Sequence, residues 1–314
     1  MGLNRLIVVA GPTGTGKSDL GLDLAEQFDG EVVNSDSMQL YRGMDIGTAK
    51  LPAAQRRGVP HHLLDVLDVS ERASVAEYQR AARELIEDIL ARSRTPVLVG
   101  GSGLYISAVI DDIEFPGTDP VVREHLEGEL AADGPAVLYR RLKLLDPAAA
   151  AAIEPGNGRR LVRALEVIAV TGRPFTATLP VPGPPRYGAA LICLDRNTAA
   201  LDQRLEQRVL AMVEAGFLDE VLELDERGLR GGVTASRALG YRQMLAVLDR
   251  RTDLDTAVTE TVRRTRRFVR RQRSWFGRDS RLRRFDAGTA DLVVQVAEFA
   301  RSGPAGADAP TRPK

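Results

Sequence analysis

Short apolar runs alternate with amphipathic stretches over the first hundred residues of the chain. Residues 6–10 and 95–100 form apolar runs that stop at glycine and are typical of buried strands, and a third run covers residues 31–34. Residues 17–28 carry leucines at helical spacing, and Ser74 can cap a helix that continues to about residue 92. Strands that alternate with helices in this way predict βαβ units and a parallel sheet, which is an α/β fold.

The pattern changes between residues 116 and 185. Strand signals are absent there, and helical stretches at 121–132 and 159–171 alternate with prolines and glycines, including a linker-like run at 180–185. Residues 189–194 resume the strand pattern, so we predict an α-helical insertion (116–185) within an α/β core (1–115 and 186–301). Helices are predicted to dominate from 198 to 277, followed by a strand near 282–285, a helix over 290–301 and a disordered tail at 302–314.

The arginines are distributed unevenly along the chain. The 314 residues include 43 basic and 43 acidic ones, so the formal net charge is +0. Residues 263–284 contain eleven arginines and one acid, Asp279, so this segment carries +10 and the rest of the chain −10. An acidic body with one concentrated basic segment predicts an anionic partner that binds at a defined place.

Cysteine content and hydropathy indicate the compartment. Cys193 is the only cysteine, so no disulfide can form within the chain, and a reducing environment is expected. No apolar run approaches the roughly 20 residues that span a bilayer. We therefore expect a cytoplasmic protein without a membrane partner, and we expect it to be a monomer.

A glycine-rich loop follows the first predicted strand. Glycines let backbone N–H groups converge on phosphate oxygens, Lys17 adds a positive charge, and the Ser18 hydroxyl can bind Mg²⁺. The loop therefore predicts a polyphosphate ligand and a P-loop NTPase-like core. The eight residues match the pattern G-x-x-x-x-G-K-[ST] of P-loops that bind nucleotides such as ATP: Gly11, Pro12, Thr13, Gly14, Thr15, Gly16, Lys17 and Ser18.

Two polar residues follow neighbouring predicted strands. Most P-loop enzymes hold Mg²⁺ with an acid at the end of a hydrophobic strand, but the strand near residue 99 ends in Gly100-Gly-Ser-Gly103 and offers none. Asp36 follows the strand at 31–34, at the expected carboxyl edge of the sheet, where it can accept a proton or bind a metal through water. Ser102 can hydrogen-bond near the same atom. Taken alone, either residue also fits an ordinary turn.

Residues 258–276 combine an apolar stripe with many arginines. One face of the predicted helix can pack on the core while the arginines occupy the remaining surface. Because neutralising phosphates is what such a surface does best, nucleic acid is the predicted partner. There are two alternative interpretations: a solvent-exposed face stabilised by ion pairs, and the phosphate-binding lid of a kinase.

With these residues in view, the sequence resembles the tRNA dimethylallyltransferase (isopentenyltransferase) family over about residues 4–300. The run from Asp36 to Lys50 is highly specific to that family, whereas the P-loop alone would not identify it. The matching motifs are the P-loop, Asp36-Ser-Met-Gln39, Tyr41-Arg-Gly-Met-Asp-Ile-Gly-Thr-Ala-Lys50, His61-His-Leu-Leu-Asp65, Gly100-Gly-Ser-Gly-Leu-Tyr105, residues 160–166, Gly240-Tyr-Arg-Gln243 and Arg271-Gln-Arg-Ser-Trp-Phe276.

This resemblance implies transfer of a dimethylallyl group from dimethylallyl diphosphate to N6 of the adenosine 3′-adjacent to a tRNA anticodon. Diphosphate would leave and Mg²⁺ would assist. The P-loop and Lys17 would hold the diphosphate, Asp36 would be the general base, and Ser102 would orient the amine. Arg242 is the candidate for a second diphosphate contact. The target base in the anticodon stem-loop would have to leave its stack to reach this edge.

The family's tRNA contacts carry over to several segments of this sequence. Two positions depart from the family pattern: threonine is frequent where Ser102 stands, which keeps the hydroxyl, and glutamine is frequent where Arg159 stands. The implied tRNA-binding residues are Asp36, Ser37, Met38, Gln39, Ser102, Arg123, Arg159, Arg160, Leu161, Val162, Arg163, Arg237, Gly240, Tyr241, Arg242, Arg270, Arg271, Gln272, Arg273 and Trp275.

Two other function classes compete with the prenyltransferase hypothesis. A P-loop kinase for a small molecule or nucleotide would phosphorylate its substrate with ATP, but the missing strand-end acid and the arginine-rich helix argue against it. A non-enzymatic RNA-binding switch would show nucleotide-dependent RNA affinity without forming a product.

Overall fold

The computed structural model describes residues 2–175 and 183–302. They form two compact units: one contains the chain up to Asp111 and from Pro184 onward, and the other runs from Asp112 to Gly183. The second unit corresponds to the insertion predicted at 116–185. The predicted linker at 180–185 lies partly outside the described residues, and the predicted disordered tail lies outside them except for Ser302.

The first unit is built on a six-stranded parallel sheet, so the predicted α/β fold is confirmed. Its strand order is β3-β2-β4-β1-β5-β6. The central strand β1 pairs with β4 on one side (Ile7 with Val97) and with β5 on the other (Ile7 with Ala190). The strands are β1 (Ile7–Ala10), β2 (Gly30–Asn34), β3 (His61–His62), β4 (Thr95–Gly100), β5 (Ala190–Asp195) and β6 (Arg283–Asp286).

Helices connect the strands and form the insertion. The described residues contain twelve α-helices, and short 3₁₀ turns lie between some of them. They are α1 (Lys17–Gln27), α2 (Val75–Ala91), α3 (Gly103–Ile110), α4 (Pro120–Asp133), α5 (Pro135–Leu145), α6 (Pro147–Ala152), α7 (Gly158–Thr171), α8 (Thr198–Glu214), α9 (Phe217–Glu226), α10 (Tyr241–Leu248), α11 (Leu254–Phe276) and α12 (Leu292–Ser302).

Helices cover both faces of the sheet, because successive strand side chains point to opposite sides. Val8 and Leu98 face α2 and α3, whereas Val9 and Val97 face α1 and α12. Parallel strands buried on both faces are continuously apolar, which explains the uninterrupted runs in the sequence. The carboxyl ends of β1, β2 and β4 therefore share one edge, and the polar loops that follow these strands meet there.

The second unit consists of helices α4 to α7, and its described residues form no strand. Three of these helices begin at residues whose side chains accept a backbone N–H bond: Asp119 before α4, Asp146 before α6 and Asn157 before α7. Its core is formed mainly by leucines and small residues, among them Leu126, Leu138, Leu142, Leu161 and Ala164.

Candidate functional site

The P-loop leaves β1 and enters α1 as the sequence predicted. Gly11, Gly14 and Gly16 have positive φ values of 143°, 82° and 96°. A Cβ on Gly11 would lie only 2.1 Å from the Leu194 carbonyl oxygen, so the loop can approach β5 this closely only with glycine. The Thr15 hydroxyl donates to the Pro12 carbonyl at 2.9 Å and closes the loop on itself.

Lys17 lies at the start of α1 and points back over the loop. Its Nζ donates to the Pro12 carbonyl at 2.6 Å. The pKa of Lys17 is lowered to about 8, chiefly by desolvation and also by nearby Arg208, whereas the negative charge of Asp36 opposes both. Lys17, Asp36 and Arg208 are therefore close enough to act on one another electrostatically.

Asp36 is held by a short network at the end of β2. Its N–H donates to Asn34 Oδ1 at 2.9 Å, and its Oδ1 accepts the Met38 N–H at 2.9 Å. The Oδ2 atom accepts no hydrogen bond from any described residue. One carboxylate oxygen of Asp36 thus fixes the turn, and the other is available to a substrate near Lys17.

Ser102 lies beside this turn, as the sequence predicted. It precedes α3, and its Oγ accepts the Ser37 N–H at 3.4 Å, so the loop after β4 contacts the loop after β2. Buried tyrosines line the same area. The pKa of Tyr105 is raised, first by burial and then by the negative charges of neighbours that include Asp36.

Arg208 is a functional candidate that the sequence analysis missed. It is half-buried on α8, and Nη2 donates to the Thr48 carbonyl at 3.3 Å. Burial lowers its pKa, and the charge of Asp36 opposes that shift. Arg208 shares a helix face with buried Leu201 and Leu205, and an arginine on an apolar stripe was the signal that could have identified it.

Arg242 was predicted as the second diphosphate contact, but the structure favours Arg208 for that position. The Arg242 side chain is exposed on α10. No described hydrogen bond or ion pair joins it to the P-loop. Arg208, by contrast, lies within electrostatic reach of Lys17.

One face of α11 packs against the sheet edge that carries the P-loop, Asp36 and Ser102, which is the candidate catalytic edge. Gln272 is 6% exposed: its Oε1 accepts the Thr13 N–H of the P-loop at 3.0 Å, and its Nε2 donates to the Gly101 carbonyl at 2.9 Å. The next residue, Arg273, forms a bidentate pair with Asp195 at the end of β5. Trp275 lies so close to Gly103 that a Cβ there would be 2.1 Å from the indole.

The opposite face of α11 carries exposed arginines. Arg267, Arg270 and Arg271 are three and four positions apart and therefore project from one side of the helix. We call these three the outer arginine row, and none of them forms an ion pair with a described residue. Five other arginines of the basic segment are neutralised by acids: Arg263 and Arg264 by Glu260, Arg266 by Glu206, Arg273 by Asp195, and Arg281 by Asp111 and Asp279.

Burial corrects several predicted tRNA contacts. Leu161 and Val162 are 0% and 2% exposed in the core of the second unit, so their side chains cannot reach an RNA. Tyr241 is fully buried and donates to Glu220, and Gly240 lies beneath Phe217. Gln272 is buried as well. The side chains of Leu161, Val162, Tyr241 and Gln272 therefore pack or hydrogen-bond within the protein.

Two predicted RNA-contacting arginines hold a buried acid instead. Glu166 is 0% exposed, and both Arg123 and Arg163 pair with it. The paired arginines lower the pKa of Glu166 against the opposing effect of burial. Arg159 and Arg160 are exposed at the start of α7 and are better placed than this pair to meet an RNA.

The long family-like motif from Asp36 to Lys50 is a braced loop. Lys50 is 7% exposed and donates to the Tyr41 carbonyl, Asp45 and Asp65, the last at 2.5 Å. Glu220 accepts the backbone N–H groups of residues 45–47. The Thr48 carbonyl accepts hydrogen bonds from both Gln39 and Arg208. The loop therefore also contacts the arginine that lies near Lys17 and Asp36.

The donor set at the loop suits Mg²⁺. The described residues contain no cluster of three or more acids, histidines or cysteines that could hold a metal. Mg²⁺ usually keeps several waters and binds substrate phosphates with one or two protein oxygens, which the exposed Ser18 hydroxyl at the start of α1 can supply. The residues present therefore fit a magnesium ion that enters with a polyphosphate.

No helix in the described ranges is both long enough and apolar enough to cross a bilayer.

Comparisons with known proteins agree with this geometry. The model of the IPP transferase family matches residues 39–279. The chain is 63% identical over 292 residues to the tRNA dimethylallyltransferase of Saccharopolyspora erythraea, covering 93% of this chain and 94% of that protein. It is 58% identical over 288 residues to that of Nocardia farcinica, covering 92% of each chain.

Solved structures extend the similarity to the whole fold. The tRNA isopentenylpyrophosphate transferase of Bacillus halodurans is 39% identical, with a TM-score of 0.71 and 96% of each chain covered. A eukaryotic dimethylallyltransferase acting on tRNA is 28% identical, with a TM-score of 0.79, covering 95% of this chain and 78% of that one.

Proposed function

The chain belongs to the IPP transferase family, and on that premise we propose how it transfers a dimethylallyl group to tRNA. The donor is dimethylallyl diphosphate, and the acceptor is N6 of the adenosine 3′-adjacent to the anticodon. The observation that supports this proposal is that the charges of Lys17, Arg208 and Asp36 act on one another, so that two cations and one carboxylate lie near the P-loop.

The cations serve the leaving group. As the allylic C–O bond breaks, its electron pair stays on the diphosphate, and the negative charge there increases. The P-loop N–H groups, Lys17 and Arg208 stabilise that charge, because fixed positive groups in a partly desolvated site act more strongly than water does. A magnesium ion held by Ser18 would neutralise further phosphate charge when it is bound.

Asp36 serves the nucleophile. An adenine N6 amine is weakly nucleophilic, so the new N–C bond forms as the N6 proton moves to a base. The Oδ2 atom of Asp36 receives that proton while Oδ1 keeps the turn in place through Met38. The Ser102 hydroxyl, which lies beside Ser37, orients the incoming amine.

The outer arginine row serves the RNA. Its three unpaired guanidinium groups meet phosphates of the anticodon stem-loop, and Arg159 and Arg160 of the insertion add further contacts. The target adenine leaves its stack to reach the sheet edge, as base-modifying enzymes require. We place the reaction in the cytoplasm, which suits a chain whose only cysteine is buried and unpaired.

Asp36→Asn tests the assignment of the base. The amide can still accept the Met38 N–H but cannot take the N6 proton, so we expect single-turnover transfer of radiolabelled dimethylallyl to tRNA to slow about 10²- to 10⁴-fold. The KM for the donor should change little, because the P-loop is untouched. Transfer at the normal rate would remove Asp36 from the mechanism.

A further inference from the structure

Gln272 joins two loops of the catalytic edge through one buried amide. Its Oε1 accepts from Thr13 in the P-loop, and its Nε2 donates to Gly101 in the loop that carries Ser102. We infer that Gln272 is a positioning residue for the transfer reaction. It fixes the spacing between the loop that holds the leaving diphosphate and the loop that orients the nucleophile.

In the proposed reaction one loop serves the donor and the other serves the acceptor. This inference rests on the proposed function, in which the P-loop holds the donor and Ser102 lies beside Asp36 on the acceptor side. Transfer between two bound substrates depends steeply on spacing, and a misplacement of about 1 Å can cost about 10²-fold in rate. A side chain that spans both loops therefore controls the rate without touching either substrate.

Only an amide satisfies both partners. The Thr13 N–H can only donate and the Gly101 carbonyl can only accept, so the side chain must offer one acceptor and one donor at the same distance. Glutamate would retain the first bond and lose the second, and methionine would lose both while filling a similar volume. A Cβ on Gly101 would lie 2.4 Å from Nε2, so this approach also requires glycine at 101.

Gln272 is turned away from the surface that the RNA is proposed to use. It is 6% exposed, and it lies on the face of α11 opposite the outer arginine row. The two faces of the helix thus separate binding from positioning. A change at Gln272 should alter the rate of transfer, whereas a change in the row should alter the affinity for tRNA.

Gln272→Met is the first test. We expect the single-turnover rate to fall about 10- to 100-fold, while the Kd for tRNA and the KM for the donor stay within about threefold of wild type. The single-turnover rate of Gln272→Glu should lie between those of wild type and Gln272→Met, because glutamate retains the bond to Thr13. The matched control is Gln243→Met, since Gln243 is also buried and accepts a backbone N–H, that of Gly240 at 3.0 Å.

The control separates positioning from stability. Gln243→Met should lower Tm by a similar amount and leave the single-turnover rate near that of wild type. If Gln272→Met transfers at the wild-type rate, or loses only affinity for tRNA, then Gln272 is not a positioning residue.

Gly101→Ala provides a second test that leaves Gln272 in the chain. The new Cβ displaces the amide, so this variant should also slow transfer, and the double variant Gly101→Ala/Gln272→Met should be no slower than the worse single variant. Fully additive losses would contradict the shared contact.

Hydrogen exchange distinguishes this inference from the proposed function. Loss of the Thr13 bond should speed exchange of the peptide covering residues 11–18 in Gln272→Met, whether or not the protein forms product. If the wild type makes no dimethylallyl-tRNA, the proposed function fails. If exchange of the loop does not change, the role of Gln272 fails, whatever the activity of the wild type.

Discussion

Lys17 interacts both with the P-loop and with the other charged residues of the site. Its ammonium donates to the Pro12 carbonyl of the P-loop, and Asp36 and Arg208 act on its pKa. The loop therefore satisfies its lysine internally before the donor arrives. The ammonium has two further donors for a bound diphosphate, whose negative charge then raises the pKa that desolvation had lowered. The pKa of Lys17 should therefore be higher when diphosphate is bound than when the site is empty.

A pH dependence follows from the lowered pKa of Lys17. The free enzyme loses the Lys17 proton as the pH rises through about 8, so kcat/KM for the donor should fall above that pH. The kcat should stay level to higher pH, because bound diphosphate stabilises the ammonium. Initial rates at subsaturating and saturating donor would measure the two profiles.

Lys17→Arg is the matched variant for that profile. A guanidinium stays charged throughout, so the decline above pH 8 should disappear even if the overall rate is lower. A decline that persists unchanged in Lys17→Arg would assign it to another group.

The sequence predicted residues at strand ends well and buried motif residues poorly. Asp36 and Ser102 were found because parallel strands deliver their loops to one edge. Arg208 was missed because its place on the apolar stripe of α8 indicates only that it lies near the core, whereas its proximity to Lys17 and Asp36 depends on how α8 packs. Tyr241 and Gln272 were predicted to bind RNA because they occur in family motifs, but burial gives them internal partners.

At the scale of elements, α11 shows how one helix can carry two functions. Its apolar and amide side chains pack on the catalytic edge, and its opposite side carries the outer arginine row. The sequence predicted this amphipathic helix and its charge. It could not tell all the free arginines from the paired ones, because some neutralising acids lie on other elements, such as Asp195 on β5 and Glu206 on α8.

The outer arginine row should carry much of the salt dependence of tRNA binding. Replacing Arg267, Arg270 and Arg271 by glutamine should weaken binding and make the slope of log K against log salt shallower by about two to three, since each phosphate contact contributes about 0.7 to 0.9. Filter binding of the anticodon stem-loop across a salt series would measure it.

Arg263→Gln is the control for the row. Arg263 is exposed on the same helix but already pairs with Glu260, so its loss should change the slope much less. If Arg263→Gln changed the slope as much as each arginine of the row does, then charge alone, and not the absence of an ion pair, would determine which arginines contact the RNA.

Element boundaries were predicted closely where local chemistry marks them. Ser74 caps α2, which begins at Val75 and ends at Ala91, and β4 covers the predicted residues. The strand β3 was not predicted, since its two histidines join the sheet only by pairing with β2. A two-residue strand has no periodicity to detect.

At the scale of the whole molecule, the zero net charge conceals two places where positive charge is available to an anion, Lys17 with Arg208 beside the P-loop and the outer arginine row on α11. The acidic excess is spread over the rest of the chain, and part of it pairs with arginines that would otherwise compete for the RNA. The position of the insertion within the chain was predictable from its missing strand signals. Its buried Glu166 was not, because only folding brings two arginines to it.

Glu31 is a buried acid whose ion pairs stabilise the sheet. It is 2% exposed and pairs with Arg92 after α2, with Arg94 before β4 and with His62 on β3. Its pKa is lowered to about 2, chiefly by the hydrogen bonds from Arg92, so its stabilising effect is complete above about pH 4.5 and is lost as the pH falls towards 2.

Glu31→Gln should lower the free energy of unfolding at pH 7 by about 2 kcal/mol, since a buried carboxylate that accepts hydrogen bonds from two arginines becomes a neutral amide. The difference from wild type should shrink as the pH falls below about 4.5, which urea titrations at several pH values would measure. The exposed pair of Glu26 with Arg57 offers the control, and Glu26→Gln should cost less than about 1 kcal/mol. A difference independent of pH would contradict this account.

The position of β1 in the sheet also determines when its two neighbouring strands become available during translation. Ile7 emerges from the ribosome early, but one of its two neighbours, Ala190, is made only after the whole insertion has been translated. At about 5 to 20 residues per second, the nascent chain therefore waits roughly 10 to 40 seconds with one side of its central strand unpaired. The α-helical insertion, which has a hydrophobic core of its own, can fold during that interval, before β5 and then β6 complete the sheet.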